Sequence, residues 1–411
     1  MISKECFVYV HLPNSHEVIT AGRLRWQSGG VNNVVGTFVY GKSYLKNKNA
    51  FSLDPFELPL EEREFQAIKN EGLHGPLRDS TPDSWGRYVI QKNTPASEHD
   101  PIGYLLNSAD DRVGALSFGH GKVPPAPIRS FNKTIDLVKL MIATRKLEEG
   151  FPIDDTERSL LMAGLSAGGA RPKTTVEDEN TLWIAKFPAL DDRQNISRIE
   201  YATMLLAKAC GLQVPEVRLI QVGGKDVFLI QRFDRSFDPK KKKYLRTHFV
   251  SGLTLLNLDE RDYGNWSYLD LADQMRRWID KPKENLQELY KRIVFNGLVS
   301  NTDDHPRNHG FLKFSKSYKL SPAYDLVPKA ETGSQRNLAM QIGSQGRNFS
   351  LENLLSRCDA FDLTRDEAKE IFLKMKAKVS KWQTFFQSHG VGDVDMVYLQ
   401  GAFSHWDSIG E

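Results

Sequence analysis

A chain of 411 residues with 55 basic and 52 acidic side chains, a net charge of +3 and 40 % hydrophobic residues has a globular profile, which excludes a disordered or fibrous polymer and by itself calls for no nucleic acid. The length allows two or three domains. Cys6, Cys210 and Cys358 lie too far apart for a zinc ribbon or a disulfide framework, and neither a basic-then-apolar leader nor a run of 18 apolar residues is present, so the expectation is a cytoplasmic protein with no membrane span.

In chain order, Phe7 to Leu12, Val18 to Trp26 and Val34 to Tyr40 are rich in β-branched and aromatic residues and predict strands. Leu58 to Glu71 changes to helical spacing, with Leu60, Phe65 and Ile68 near one face. Thr81-Pro82-Asp83 opens a helix running to Gln91, and Asn132 to Leu147 predicts a longer helix with a broad apolar side. A small-residue loop, Gly164 to Pro172, precedes the strand Thr181 to Phe187. Ser197 to Cys210 is a helix capped by Gly211, and Val217 to Val222 and Asp226 to Gln231 form a hairpin over Gly223-Gly224. Beyond residues 235–250 the pattern turns helical: Trp266 to Ile279, Glu284 to Leu298 and Arg365 to Gln387, with two short strands, Gly310 to Phe314 and Tyr318 to Leu320. The lysine run Lys240 to Lys243 sits at that change, as a solvated loop or a phosphate contact.

Phosphoryl transfer needs an orienting carboxylate, metal ligands, a cation on the phosphates and a backbone cradle. Asp303 precedes Asn308 by five residues, the Asp-to-Asn spacing of a kinase catalytic loop, with His305 and Arg307 between them; a capped turn after the helix is the competing reading. By the same spacing Asp304 is the less important acid. Asp325, after Tyr324, lies 22 residues past Asp303, where a second metal-binding Asp belongs, though the pair alone is weak. Lys186 ends an apolar strand, where burial is costly unless an acid such as Glu200 pairs with it; a strand-end lysine reaching water is the alternative. The stretch Ser166 to Thr174 contains Gly168, Gly169, Ala170, Arg171, Pro172 and Lys173, small enough to bring N–H groups near phosphate, but it matches neither Walker A nor Gly-x-Gly-x-x-Gly and also reads as a turn. The order of these signals is that of a kinase.

Gly169-Ala170-Arg171-Pro172-Lys173-Thr174, Asn301-Thr302-Asp303-Asp304-His305, Arg307-Asn308-His309-Gly310-Phe311 and Leu320 to Pro328 resemble the signatures of the HipA toxins, the kinase half of HipA–HipB toxin–antitoxin modules. Arg78 to Arg87 and Asp110 to Leu116 resemble the same family's N-terminal segments. The resemblance implies an α+β, protein-kinase-like bilobal fold. It would have an N-terminal domain over 1–250, with a β-rich subdomain at 1–120 and an ATP-binding lobe at 150–235, and a mainly helical kinase lobe over 251–411. It implies an ATP- and Mg2+-dependent protein serine/threonine kinase with Asp303 catalytic, and Asn308 and Asp325 on magnesium. Lys186, the glycine loop, His305, Arg307, Tyr324 and the hinge Gln231-Arg232-Phe233 would contact ATP, and Ser166 would be autophosphorylated. The implied partners are a HipB-like helix-turn-helix antitoxin, operator DNA through that complex, and a protein substrate such as an aminoacyl-tRNA synthetase. A catalytically silent co-repressor scaffold is the alternative; the intact Asp303, Asn308, Asp325 and Lys186 argue against it.

Overall fold

The computed structural model describes residues 2–30, 33–125, 131–164, 169–314, 317–331, 333 and 335–403. The first strands, β1 (Ile2–His11), β2 (Val18–Ser28), β3 (Val34–Tyr40), β4 (Glu64–Ala67) and β5 (Leu116–Gly119), form an antiparallel sheet in the order β4-β3-β2-β1-β5. Strand alternation sends Val8, Val10, Leu24 and Phe38 into one core, which Leu77 and Ile102 from the following helical turns complete. Close approach is needed at Gly36, where a Cβ would fall 1.9 Å from the Gly72 carbonyl oxygen.

A second sheet carries β6 (Asn132–Lys133), β7 (Lys173–Asp178), β8 (Thr181–Lys186), β9 (Val217–Val222) and β10 (Lys225–Gln231) in the order β6-β7-β8-β10-β9. Its two faces serve different cores. Trp183, Ala185, Val227 and Leu229 pack under the Leu137–Glu148 helix, while Phe228 and Ile230 point the other way, toward the Ile196–Ala209 helix. The period of two therefore sets Ile184, Lys186 and Ile230 on the face opposite the Leu137–Glu148 helix.

A hairpin of β11 (Arg235–Asp238) and β12 (Lys243–Arg246) follows, with Lys240 to Lys242 exposed at its tip. Then β13 (His248–Ser251), β14 (Gly310–Phe314) and β15 (Ser317–Leu320) make a three-stranded antiparallel sheet. The Pro282–Leu298 helix runs through the largest core; Leu286, Leu289, Ile293 and Phe295 are all buried there, each contributing roughly 1.5–3 kcal/mol by burial. Among the described residues, no helix is long and apolar enough to cross a membrane.

Three expectations change. Residues 58–71 are not a helix: Phe65 and Ala67 alternate inward on the edge strand β4, while Leu60 and Ile68 face solvent, so the apolar spacing was only half a core signal. The helix expected from Asn132 starts at Leu137, because Asn132 and Lys133 pair in parallel with Val176 and Glu177; Ile135, Val138 and Ile142 stay exposed. Residues 365–387 divide into the helices Arg365–Val379 and Trp382–Ser388, the break turning Trp382 inward to stack on Phe403 with ring centroids 4.2 Å apart.

Candidate active site

The β7–β8 hairpin turns over Glu179 and Asn180, both at positive φ as a two-residue hairpin turn requires. Counting back from that turn sets Lys173 directly opposite Lys186. Like charges in this cross-strand position repel, so the pair needs anions nearby. Two carboxylates supply them: Lys186 Nζ lies 2.6 Å from Glu200 on the Ile196–Ala209 helix and 2.7 Å from Asp325. Burial works to lower the Lys186 pKa, but Asp325 and Glu200 outweigh it and hold it above its ordinary value. Lys173 is lowered to about 8, first by burial and then by Lys186. Lys186 holds the Asp325 carboxyl well below the usual range, whereas burial raises Glu200. Asp325 adopts a left-handed backbone (φ 61°) and keeps 44 % of its side chain open to the cleft, so a ligand can reach it.

The loop after the Pro282–Leu298 helix is held from below. Asp304, buried, accepts from Asn296 Nδ2 (2.6 Å) and the Tyr268 hydroxyl and meets His309 Nε2 at 3.0 Å. Asp303, one residue earlier, is exposed, and its carboxylate has no hydrogen-bond partner among the described residues. Its carbonyl accepts from the His305 N–H (2.8 Å) and Asn308 Nδ2 (3.2 Å), which closes the loop on itself. Pro306 opens a single 3-10 turn, Pro306–Asn308, a position where a missing N–H costs nothing. Gly252 lets β13 approach: a Cβ there would fall 2.6 Å from the Pro306 carbonyl oxygen.

These pieces line one cleft of about 590 Å³, a volume suited to a small ligand. Gly169, Ala170, Lys173, Lys186, Gln231, Arg232, Phe233, Asp303, His305, Arg307, Asn308, Tyr324 and Asp325 all border it. Its apolar lining is Val113, Ile184, Ile230, Phe249 and Leu253. Of its polar lining atoms, His305 Nδ1 and Trp266 Nε1 are buried without a hydrogen-bond partner among the described residues.

Several expected contacts differ in detail. The Arg232 guanidinium turns away into a buried network with Asp111 (2.8 Å) and Asp234 (2.9 Å). The Gln231 and Arg232 N–H groups are already given to the Glu216 and Leu182 carbonyls, so neither is free for a nucleobase. Arg171 pairs with Asp192, and neither it nor Pro172 borders the cleft. The Gly169 N–H, expected to face phosphate, donates instead to Asp83 (2.7 Å). Ser166 and Gly168 lie outside the described residues. Asp304 is no minor acid: it is the buried anchor of the loop. The sequence offered no site role for Asp83, Arg78, Glu260 or Trp266, which also border the cleft; Asp83 read only as part of a helix opening and, with Arg78, of the family-like segment Arg78 to Arg87.

Residues 165–382 match the family described as the HipA-like C-terminal domain, and residues 15–119 match the HipA N-terminal domain. A Haemophilus influenzae protein is 30 % identical over 188 residues, which cover 40 % of this chain and 52 % of that protein. The serine/threonine-protein kinase toxin HipA of Shewanella oneidensis is 26 % identical over 188 residues, covering 40 % of this chain and 43 % of the toxin. The chain thus spans about half the length of these two curated relatives. Y4mE of Sinorhizobium fredii is 28 % identical over 335 residues, 75 % of this chain and 76 % of that protein. In solved structures, the Shewanella oneidensis complex of HipA, HipB and operator DNA contains a chain of the same fold, with a TM-score of 0.68 and 18 % identity over 97 % of this chain and 95 % of that one. The fold is accordingly α+β and kinase-like, and with the HipA-like C-terminal domain alone matching more than half of its length, the chain belongs to the HipA family.

Proposed function

We propose that the protein is an ATP- and Mg2+-dependent protein serine/threonine kinase, the toxin of a type II toxin–antitoxin pair. The observation that carries this reading is the pairing of Lys173 and Lys186 in one cleft with Asp303, Asn308 and Asp325. Two opposed ammonium groups suit a polyphosphate, whose charge relieves their repulsion. The apolar side chains that line the same cleft, Ile184 and Ile230 among them, suit a nucleobase. Among the described residues, no group of three or more His, Cys, Asp or Glu side chains could hold a metal on its own. Magnesium is bound through one or two protein oxygens plus substrate phosphates, and the Asn308 and Asp325 side chains bring such oxygens to the cleft. Asn308 and Asp325 would hold it, and when bound it neutralises charge on the phosphates.

Asp303, exposed and unpaired, accepts the proton of the acceptor hydroxyl as the new O–P bond forms and ADP leaves. Lys186 is kept charged by Glu200 and Asp325 and is thereby ready for phosphate. In this reading residues 1–250 form an N-terminal domain with a β-rich subdomain (1–120) and an ATP-binding lobe (150–235), and residues 251–411 form the lobe that bears the catalytic loop. Ser166, in the glycine loop, is the autophosphorylation site. The Shewanella oneidensis complex, with HipB and operator DNA, supports a HipB-like antitoxin as partner; that this antitoxin is a helix-turn-helix protein, and that the substrate is a translation component such as an aminoacyl-tRNA synthetase, is what the family reading favours.

The test is phosphate incorporation from labelled ATP, mapped by mass spectrometry, for the wild-type protein and Asp303→Asn. Loss of the base should cost roughly 10²–10⁴ in rate while the exposed position leaves the fold intact. Equal labelling of the two proteins rejects the assignment. A wild-type protein that neither labels nor binds Mg-ATP points instead to a silent co-repressor scaffold.

A further inference from the structure

Asp83 is the N-cap of the Ser84–Asn93 helix, a position where an aspartate ordinarily accepts from the first helical N–H groups. Its side chain makes no such bond. Instead one carboxylate oxygen accepts from the Gly169 N–H (2.7 Å) and the other meets Arg307 Nη2 at 2.5 Å. The site is built on every side. Glu260 bridges Arg307 (2.5 Å) and Arg78 (2.7 Å), and Arg78 also faces Asp83 at 3.7 Å. The Gly169 carbonyl receives the Trp85 N–H (3.4 Å) from the same helix. On the far side, the Arg307 carbonyl accepts from the Tyr324 hydroxyl (2.8 Å), next to Asp325. The Asp83 side chain is only 14 % exposed, and the arginines outweigh burial to keep it below its ordinary pKa.

We propose that Asp83, resting on the phosphotransfer reading above, is a positioning residue that fastens the glycine loop to the catalytic loop. One oxygen fixes the Gly169 backbone over the cleft; the other fixes Arg307, four residues after Asp303 in the same tight loop. A segment outside both loops thereby sets their separation, and with it the distance between the bound phosphates and the acceptor hydroxyl. Misplacement by about 1 Å at such a distance can cost roughly 10²-fold in rate.

The two oxygens make separable predictions. In Asp83→Asn the amide oxygen can still accept from Gly169, but the amide nitrogen opposes Arg307. The kcat should fall roughly 10²-fold with the KM for ATP within about twofold of wild type. In Asp83→Ala both contacts go, and the KM for ATP should rise by roughly tenfold as well, the size of a lost charge-assisted hydrogen bond. Hydrogen exchange at the Gly169 amide should quicken in the Ala variant and not in the Asn variant. Steady-state kinetics with melting temperatures on the three proteins test this, and the near-isosteric Asn variant decides the matter if the Ala variant does not fold. An Asn variant with wild-type kcat overturns the proposal. So does a lower KM for ATP in either variant, the result expected if Asp83 merely fills a phosphate position that ATP must empty. A wild-type protein without kinase activity rejects the phosphotransfer reading instead, and the Gly169 exchange rate then decides whether Asp83 holds the loop.

Discussion

Asp303 and Asp304 are neighbours with opposite surroundings, and the difference is one of solvent. Asp303 stands in water at the cleft; Asp304 is enclosed by Asn296, Tyr268 and His309. Removing Asp304 strands three buried groups at once, so Asp304→Ala should destabilise the protein by roughly 3–5 kcal/mol, whereas Asp303→Ala should stay within about 0.5 kcal/mol. Urea titration of both variants checks the contrast; equal midpoints would refute it. The acid range gives a second reading. Burial raises the Asp304 pKa, but His309 and the hydrogen bonds outweigh it, and the carboxyl ends below its ordinary 3.8. A depressed carboxylate contributes stability that is present above its unfolded pKa and lost as pH falls through the folded one. Asp325 is depressed as well, by Lys186. Wild-type stability should therefore fall below about pH 4, and Asp304→Asn should show a shallower loss there.

At the scale of the element, the β7–β8 hairpin does what neither lysine does alone. The two-residue turn fixes the register, and the register sets Lys173 opposite Lys186. Burial and the neighbouring ammonium lower Lys173 to about 8. A lysine whose pKa is lowered on folding binds fewer protons folded than unfolded between that value and its ordinary 10.5, so its contribution to stability increases as pH rises through this window. Under the proposed ATP-dependent activity, phosphate binding would run in the opposite direction, because it would use the protonated form. The kcat/KM for ATP should fall as pH rises through about 8, and Lys173→Arg, charged throughout, should flatten that fall. A pH profile unchanged by the substitution would show that Lys173 is not the titrating group.

Across the whole molecule, the β-rich N-terminal part is an integral piece of the cleft. Asp111 reaches the buried Arg232, Asp110 meets Arg246 (2.9 Å), and Asp79 accepts from the Ser251 N–H (2.7 Å), next to Gly252, whose N–H is given to the His309 carbonyl. Asp234 ties Arg232 and Arg235 together and accepts from the Gly114 N–H (2.8 Å). Such a network is costly to break, since each charge left behind is buried. Asp111→Ala should lose roughly 3–5 kcal/mol, while removing the exposed Arg145–Glu149 pair should change stability by less than about 0.5 kcal/mol. Chemical denaturation distinguishes them, and the first loss should persist in high salt because the pair is shielded from solvent ions.

Much of this was written in local patterns. The strands at Phe7, Val18 and Val34, the hairpin over Gly223-Gly224 and the Pro282–Leu298 helix follow from alternation, turn residues and 3.6-residue spacing. The ordered residues Lys186, Asp303, Asn308 and Asp325 likewise stood out before any contact was known, and the structure gathers them at one cleft. Segments 58–71 and 132–136 misled because their apolar spacing does not reveal which side finds a core; pairing with β3 and β7 decided it. The roles of Asp304 and Asp83 were invisible for the same reason. An aspartate's use depends on what lies within 3 Å of its oxygens, and here those neighbours come from elements as far apart in sequence as Gly169 and Arg307. The sequence alone determined the chemistry available along the loop that begins at Asn301; tertiary packing alone decided that one acid of that loop faces solvent, that the next is buried to hold it, and that a third from the N-terminal part contacts both Arg307 and Gly169.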